Sequence, residues 1–251
     1  MSHNIPVSLV SNIGSYELDM QGAKVKVSVV DNSAVIDAKI EEFKSSLETL
    51  QRRVVGLDIK FVETISQHNV AVKTNVKFGK CFFSKKKMVV KTISRKDNTA
   101  MILLLCVGTN CLIIQLLNFP IFPETLVQFL SDETICFLGT GMNNIVSDLN
   151  NRYSRRPDTL QGNTLRLNRP VYVKCKSGVE IGYLAAKIMR KPDIEKNGLA
   201  ELAGEVGMDI KQPIGSCPDW NAKVFSDEQI KYAMHNAYTS YVIGNKLFGM
   251  V

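Results

Sequence analysis

Polar and apolar residues alternate over Tyr16–Met20 and again over Lys24–Val30, with Gln21-Gly22 between them. That pattern predicts a β-hairpin. Asn32-Ser33 then opens a stretch with Ile36, Ile40, Phe43, Leu47 and Leu50 at helical spacing, which predicts a capped helix to about Gln51. Arg53–Phe61 reads as a buried strand. The next forty residues show no clear period, though Met88–Ile93 could add a strand. Ala100–Val107 and Cys111–Leu117 are apolar runs joined by Gly108-Thr109-Asn110, a second hairpin. A helix follows at Pro123–Leu130, a strand at Thr134–Gly139 and an amphipathic helix at Met142–Tyr153. Residues 154–177 are polar and basic and read as a loop. A short strand at Val179–Ile181 leads into a helix to about Met189, and a second short helix runs from Asn197-Gly198-Leu199 to Gly207. Ser226-Asp227-Glu228 caps a last long helix to about Phe248. Strands first, then alternating helices and strands, predict an α/β fold with a mixed sheet of five or six strands flanked by helices. There is no internal repeat and no second core, so residues 16–251 read as one domain behind a tail at 1–15, with a basic insertion at about 64–98.

Composition narrows the class without changing this picture. The 251 residues are 45% hydrophobic and 22% charged, as in ordinary globular proteins. No run of 18 apolar residues exists, so no membrane partner is expected. The first residues lack a basic segment followed by an apolar core, so no signal peptide is read. Cysteines at 81, 106, 111, 136, 175 and 217 form no C-x-x-C pair and mostly lie in apolar runs. They read as reduced core thiols, which points to the nucleus or cytoplasm. His3, His68 and His235 are far apart, which argues against a structural zinc site.

Charge changes the picture more. From Thr64 to Lys96 there are nine cations and no acid: Lys73, Lys77, Lys80, Lys85, Lys86, Lys87, Lys91, Arg95 and Lys96. The chain holds 31 basic residues, so the rest carries 22 against 24 acids and is slightly negative. One segment supplies the whole excess of +7. Clustered cations can release counterions from a nucleic-acid backbone. They can equally be a solvated edge that uses Lys against aggregation. Charge alone leaves both readings open.

Four segments, in order, carry a resemblance: Val55-Gly56-Leu57-Asp58-Ile59-Lys60-Phe61; the hairpin around Val107-Gly108; Phe137-Leu138-Gly139-Thr140-Gly141-Met142; and Gln229-Ile230-Lys231-Tyr232-Ala233-Met234-His235-Asn236-Ala237-Tyr238. Gly198–Ala203 and Asp219–Ala222 add to it. Together, from about Tyr16 to Leu247, they resemble the 3′–5′ exonuclease domain of the Werner-syndrome-like exonucleases of plants, a DnaQ-like, DEDDy-type family. The resemblance implies a ribonuclease-H-like fold. It implies hydrolysis of phosphodiesters by two Mg²⁺ or Mn²⁺ ions held by four carboxylates, with a tyrosine that helps place the water.

Carried over position by position, the family's chemistry is mostly missing. Asp58 and Tyr232 keep family positions. The family's Glu is Lys60, its second-motif Asp is Ile145, and its last Asp is Asn236. Three of four carboxylates are replaced, one by a cation. Mg²⁺ requires hard anionic oxygens, so metal is expected to bind weakly or not at all. Glu63 faces the wrong side of its strand, and Asp148, one turn beyond Ile145, is the best rescue ligand. His235 is expected to point away from the cleft, because adjacent helical residues diverge by about 100°. The expected function is a pseudo-exonuclease that binds single-stranded or 3′-ended nucleic acid. The alternatives are an active metal-dependent 3′–5′ exonuclease and a subunit forming a homo- or hetero-oligomer with related exonucleases.

Overall fold

The computed structural model describes residues 14–77, 84–116, 122–153, 173–211, 213 and 225–251, with the backbone alone for 61–77, 84–101 and 150–153. Seven strands form one mixed sheet in the order β1-β2-β5-β4-β3-β6-β7. The hairpin β1 (Gly14–Met20) and β2 (Ala23–Val30) is antiparallel. Its turn residues Gln21 and Gly22 have φ of 55° and 81°, the left-handed pair that a two-residue hairpin turn requires and glycine adopts without strain. Helix α1 (Ser33–Thr49) starts where the Asn32 side chain accepts a hydrogen bond from the Ala34 N–H at 2.9 Å. Its buried stripe is Ile36, Ile40, Phe43 and Leu47, whereas Leu50, which the spacing puts on the same face, is the C-cap and exposed.

Strands β3 (Val54–Lys77) and β4 (Ser84–Val107) are far longer than the sequence pattern suggests. The forty residues read as irregular are mostly strand. Their signal is not alternation but β-branched content, with Val62, Thr64, Ile65, Val70, Val72, Thr74 and Val76 in β3 alone, side chains that suit extended backbone. The described sheet accordingly has seven strands, not five or six. Strand β5 (Asn110–Gln115) pairs antiparallel with β4 and parallel with β2. Within that hairpin Cys106 lies opposite Cys111, with the two buried sulfurs 3.2 Å apart.

The remaining elements alternate. Helix α2 (Glu124–Leu130), strand β6 (Cys136–Gly139) and helix α3 (Met142–Tyr153) are followed by strand β7 (Gly178–Glu180) and helix α4 (Ile181–Met189). A 3-10 turn at Pro192–Lys196, with Pro at its start, was not legible in the pattern. Helix α5 (Leu199–Glu205) and helix α6 (Asp227–Phe248) complete the chain. Strand β6 pairs parallel with both β3 and β7, and α3 lies within the crossover that a parallel β6–β7 connection needs. No helix among the described residues is long and apolar enough to cross a membrane.

The chain divides into two compact units, Met1–Lys60 with Met101–Val251, and Phe61–Ala100. In the first, apolar residues pack on both faces of the sheet. One cluster joins Val55, Leu57 and Ile59 of β3 to Leu103 and Leu105 of β4 and to residues of α1, α2 and α3. The other joins Val54 and Leu138 to α4, α5 and α6. The second unit contains Phe61–Lys77 of β3 and Ser84–Ala100 of β4.

Candidate functional site

Asp58 lies on β3 where that strand passes under α6. Helix α6 is started by a reciprocal cap: the Gln229 N–H donates to Ser226 Oγ at 3.3 Å, and the Ser226 N–H donates to Gln229 Oε1 at 2.9 Å. The helix is tied to the first hairpin by Gln21 Nε2, which donates to Thr239 Oγ1 at 2.9 Å. It then lies directly on β3 at Gly56, where any Cβ would run into the Ala237 carbonyl oxygen and come within 2.9 Å of Tyr241 Cβ. Only glycine allows this approach. Strand alternation puts Asp58 and Lys60 on the same side as Gly56, so both lie on the sheet face that α6 covers.

Asp58 is 6% exposed. Its Oδ1 accepts the Ile59 N–H at 2.8 Å, and its Oδ2 lies 2.6 Å from the Lys60 ammonium. That second contact is an ion pair without hydrogen-bond alignment, since Oδ2 has no geometrically satisfied donor. Lys60 keeps partial access to solvent. The residue type expected to be a carboxylate is therefore an ammonium seated on the remaining carboxylate.

His235 belongs to the same place. It is buried, and its pKa is lowered first by that burial and then by the positive charge of Lys60. Burial on α6 extends over Ala233, Met234, His235, Ala237 and Tyr238, a sector wide enough to include a residue adjacent to Asn236. A sequence signal existed: a histidine inside an otherwise apolar helical stretch. Tyr232 and Asn236 are half-buried and one turn apart on α6.

Ile145 is placed differently. It is 6% exposed and belongs to the core cluster with Leu57 and Ile59, the residues that alternate with Asp58. Its helix starts with the Met142 N–H donating to Glu180 Oε2 at 2.9 Å, and the Ile145 N–H accepted by the Gly141 carbonyl at 3.1 Å. Asp148 lies on the same helix, half-buried. The structure thus pairs Asp58 with Lys60, leaves His235 within electrostatic range of Lys60, and sets Ile145 among core side chains.

These donors do not fit a two-metal centre. A hard divalent ion needs several anionic oxygens, and Asp58 already has a cation on one oxygen and an N–H on the other. Among the described residues no three His, Cys, Asp or Glu side chains are grouped so that they could hold a metal ion. Of the cationic positions, Lys73, Lys77, Lys85, Lys86, Lys87, Lys91, Arg95 and Lys96 lie in β3 and β4, while Lys80 lies outside the described residues. Trp220 and the Asp219–Ala222 stretch also lie outside them.

No protein-family model matches the chain. No curated protein sequence matches it. Solved structures do. A crystal structure of the EXD2 exonuclease domain soaked in Mn and Mg is 19% identical, with 89% of each chain covered and a TM-score of 0.39. The EXD2 exonuclease domain soaked in Mn and dGMP is 18% identical over 89% of each chain, with a TM-score of 0.41. The same domain without a stated soak is 18% identical over 90% of this chain and 91% of that one, with a TM-score of 0.40.

Proposed function

We propose that this chain is a DEDDy-type exonuclease relative, of ribonuclease-H-like fold, that binds nucleic acid and has lost metal-dependent hydrolysis. The observation that carries the reading is the Lys60 ammonium, 2.6 Å from the carboxylate of Asp58. A phosphodiester carries negative charge, and a site of four carboxylates tolerates it only through bound metal. Here the local acid is neutralised by a side chain, so a phosphate can approach without a metal between them. Asp58 then holds Lys60 in place, and Lys60 contacts phosphate. Tyr232 and Asn236, one turn apart on α6, add polar groups without adding charge. His235 stays neutral near pH 7, because burial and Lys60 both disfavour its protonation.

The cations Lys73, Lys77, Lys80, Lys85, Lys86, Lys87, Lys91, Arg95 and Lys96 add sequence-independent phosphate affinity. Single-stranded or 3′-ended nucleic acid is the ligand that the resemblance to exonucleases suggests. The free thiols Cys106, Cys111, Cys136 and Cys175 fit a reducing compartment, the nucleus or the cytoplasm.

The test is one assay with two readouts. A labelled single-stranded oligonucleotide is incubated with the protein in Mg²⁺ or Mn²⁺, and both binding and shortening are followed. Salt-sensitive binding without shortening is expected. Metal-dependent shortening from the 3′ end would overturn the loss of catalysis, and absence of binding would overturn the nucleic-acid reading.

A further inference from the structure

Two thiols at the tip of the β4–β5 hairpin are placed as a pair. Gly108 and Thr109 form its two-residue turn, across which Val107 opposes Asn110. Gly108 has φ of 60°, the left-handed backbone that a type II′ turn places at its first central position. Such a turn is closed by a hydrogen-bonded pair, here Val107 and Asn110. Pairs alternate along an antiparallel ladder, so Cys106 and Cys111 form the next, non-hydrogen-bonded pair. In pairs of that kind the Cα atoms lie about 4.5 Å apart and the side chains approach most closely. A disulfide spans Cα separations of about 4.4–6.8 Å, so the backbone already suits one. The sulfurs are in contact: the Cys111 thiol donates to Cys106 Sγ at 3.2 Å, and the Cys106 thiol donates to the Gly108 carbonyl at 3.8 Å. Leu105, Val107 and Leu112 belong to the cluster with α1 and α2, so strand alternation turns Cys106 and Cys111 to the face that α6 covers. Tyr241 of α6 reaches the turn, its hydroxyl 3.9 Å from where a Gly108 Cβ would lie. Tyr238, one turn earlier, is pushed up to about 12 by burial first, with both sulfurs among its close neighbours.

We propose that Cys106 and Cys111 are a redox couple that closes to a disulfide when low-molecular-weight disulfides accumulate, locking the hairpin tip under α6. The thiolate of Cys106 attacks one sulfur of the small disulfide, whose S–S bond breaks and releases one thiol carrying the Cys106 proton. The Cys111 sulfur then attacks the Cys106 sulfur of this mixed disulfide and releases the second small thiol with the Cys111 proton. Two protein thiols are oxidised to one disulfide, and one small disulfide is reduced to two thiols. Either thiol can make the first attack. Cys106 and Cys111 are 0% and 2% exposed. Burial first, then the contact with Cys111, pushes the Cys106 thiol well up. The closed tip therefore reacts slowly, and exchange proceeds when the end of the hairpin frays. Such a couple stays reduced in a reducing compartment and closes only when the thiol pool is oxidised for long enough.

The full-length protein is equilibrated with reduced and oxidised glutathione at a series of ratios, quenched with acid, unfolded, alkylated and mapped by mass spectrometry. A Cys106–Cys111 disulfide should form before any other cysteine pair and return to thiols when reduced glutathione is restored. Amide hydrogen exchange over residues 104–113 should then be roughly tenfold slower in the oxidised protein than in the reduced one, because the tip no longer frays. Cys111→Val keeps an apolar strand residue at that place and should lose the disulfide and the slowing together. Both thiols remaining free at the most oxidising ratio would overturn the inference, and so would glutathione adducts at Cys106 or Cys111 without the internal bond. Equal exchange in the two forms, or slowing that persists in Cys111→Val, would overturn it as well.

Discussion

The two sides of strand β3 solve different problems within six residues. On one side Val55, Leu57 and Ile59 are buried apolar side chains in a cluster with α1, α2 and α3. On the other, Gly56 gives way to the backbone of α6, and buried Asp58 forms an ion pair with half-buried Lys60. The first side needs only volume and apolarity, and many sequences would serve. The second combines a missing side chain, a desolvated carboxylate and a cation, each of which costs stability on its own. Such a cluster is hard to account for by packing alone. On the proposed function, it is what remains when a charged site is kept in outline while its charge is cancelled.

This contrast can be broken most forcefully on the apolar side. Leu57→Ala should lower the unfolding free energy by about 2–5 kcal/mol, read by urea denaturation, because the site is fully buried. Ile145→Asp should cost a similar amount, about 3–5 kcal/mol, since Ile145 sits in that same cluster. A loss below about 0.5 kcal/mol for Ile145→Asp would mean that position 145 opens onto water and belongs to the site after all.

On the polar side the effects are smaller and coupled. Lys60→Met should cost about 1–3 kcal/mol by leaving the Asp58 carboxylate unpaired. Adding Asp58→Asn should recover part of that loss, and a double-mutant cycle should report a coupling between the two. Additive effects would show that the ion pair holds nothing together.

The smallest effect is a titration. His235 has a lowered pKa in the folded protein, through burial first and Lys60 second. Its stabilising contribution is therefore complete above its unfolded value of about 6.5. As pH falls through that value, the unfolded chain takes up the proton first, and stability drops until the folded pKa is passed. Lys60→Met removes one of the two causes, so NMR titration of His235 should show its pKa rising toward the ordinary range. No movement would place His235 beyond the reach of Lys60.

Much of the fold was legible because its signals are local. The hairpin at Gln21-Gly22, the caps at Asn32 and Ser226 and the stripe of α1 each lie within a few residues of sequence. The long arms of β3 and β4 were not, because their polar positions obscure the period and only their β-branched content marks them. Lys60, Ile145 and Asn236 could be singled out by motif order. Their placement could not. That Lys60 reaches Asp58, that His235 is buried within range of it, and that Ile145 joins the core all depend on how α6 and α3 pack on the sheet.

The central claim is that Lys60 supplies the positive charge that a metal would otherwise bring to Asp58. Calorimetric titration with Mn²⁺ tests it most directly, on the unchanged protein and on Lys60→Glu with Asn236→Asp, which together restore two carboxylates without placing a charge in the core. The account predicts no saturable Mn²⁺ binding to the unchanged protein and measurable binding to the double variant. Equal Mn²⁺ affinity in the two proteins would contradict it.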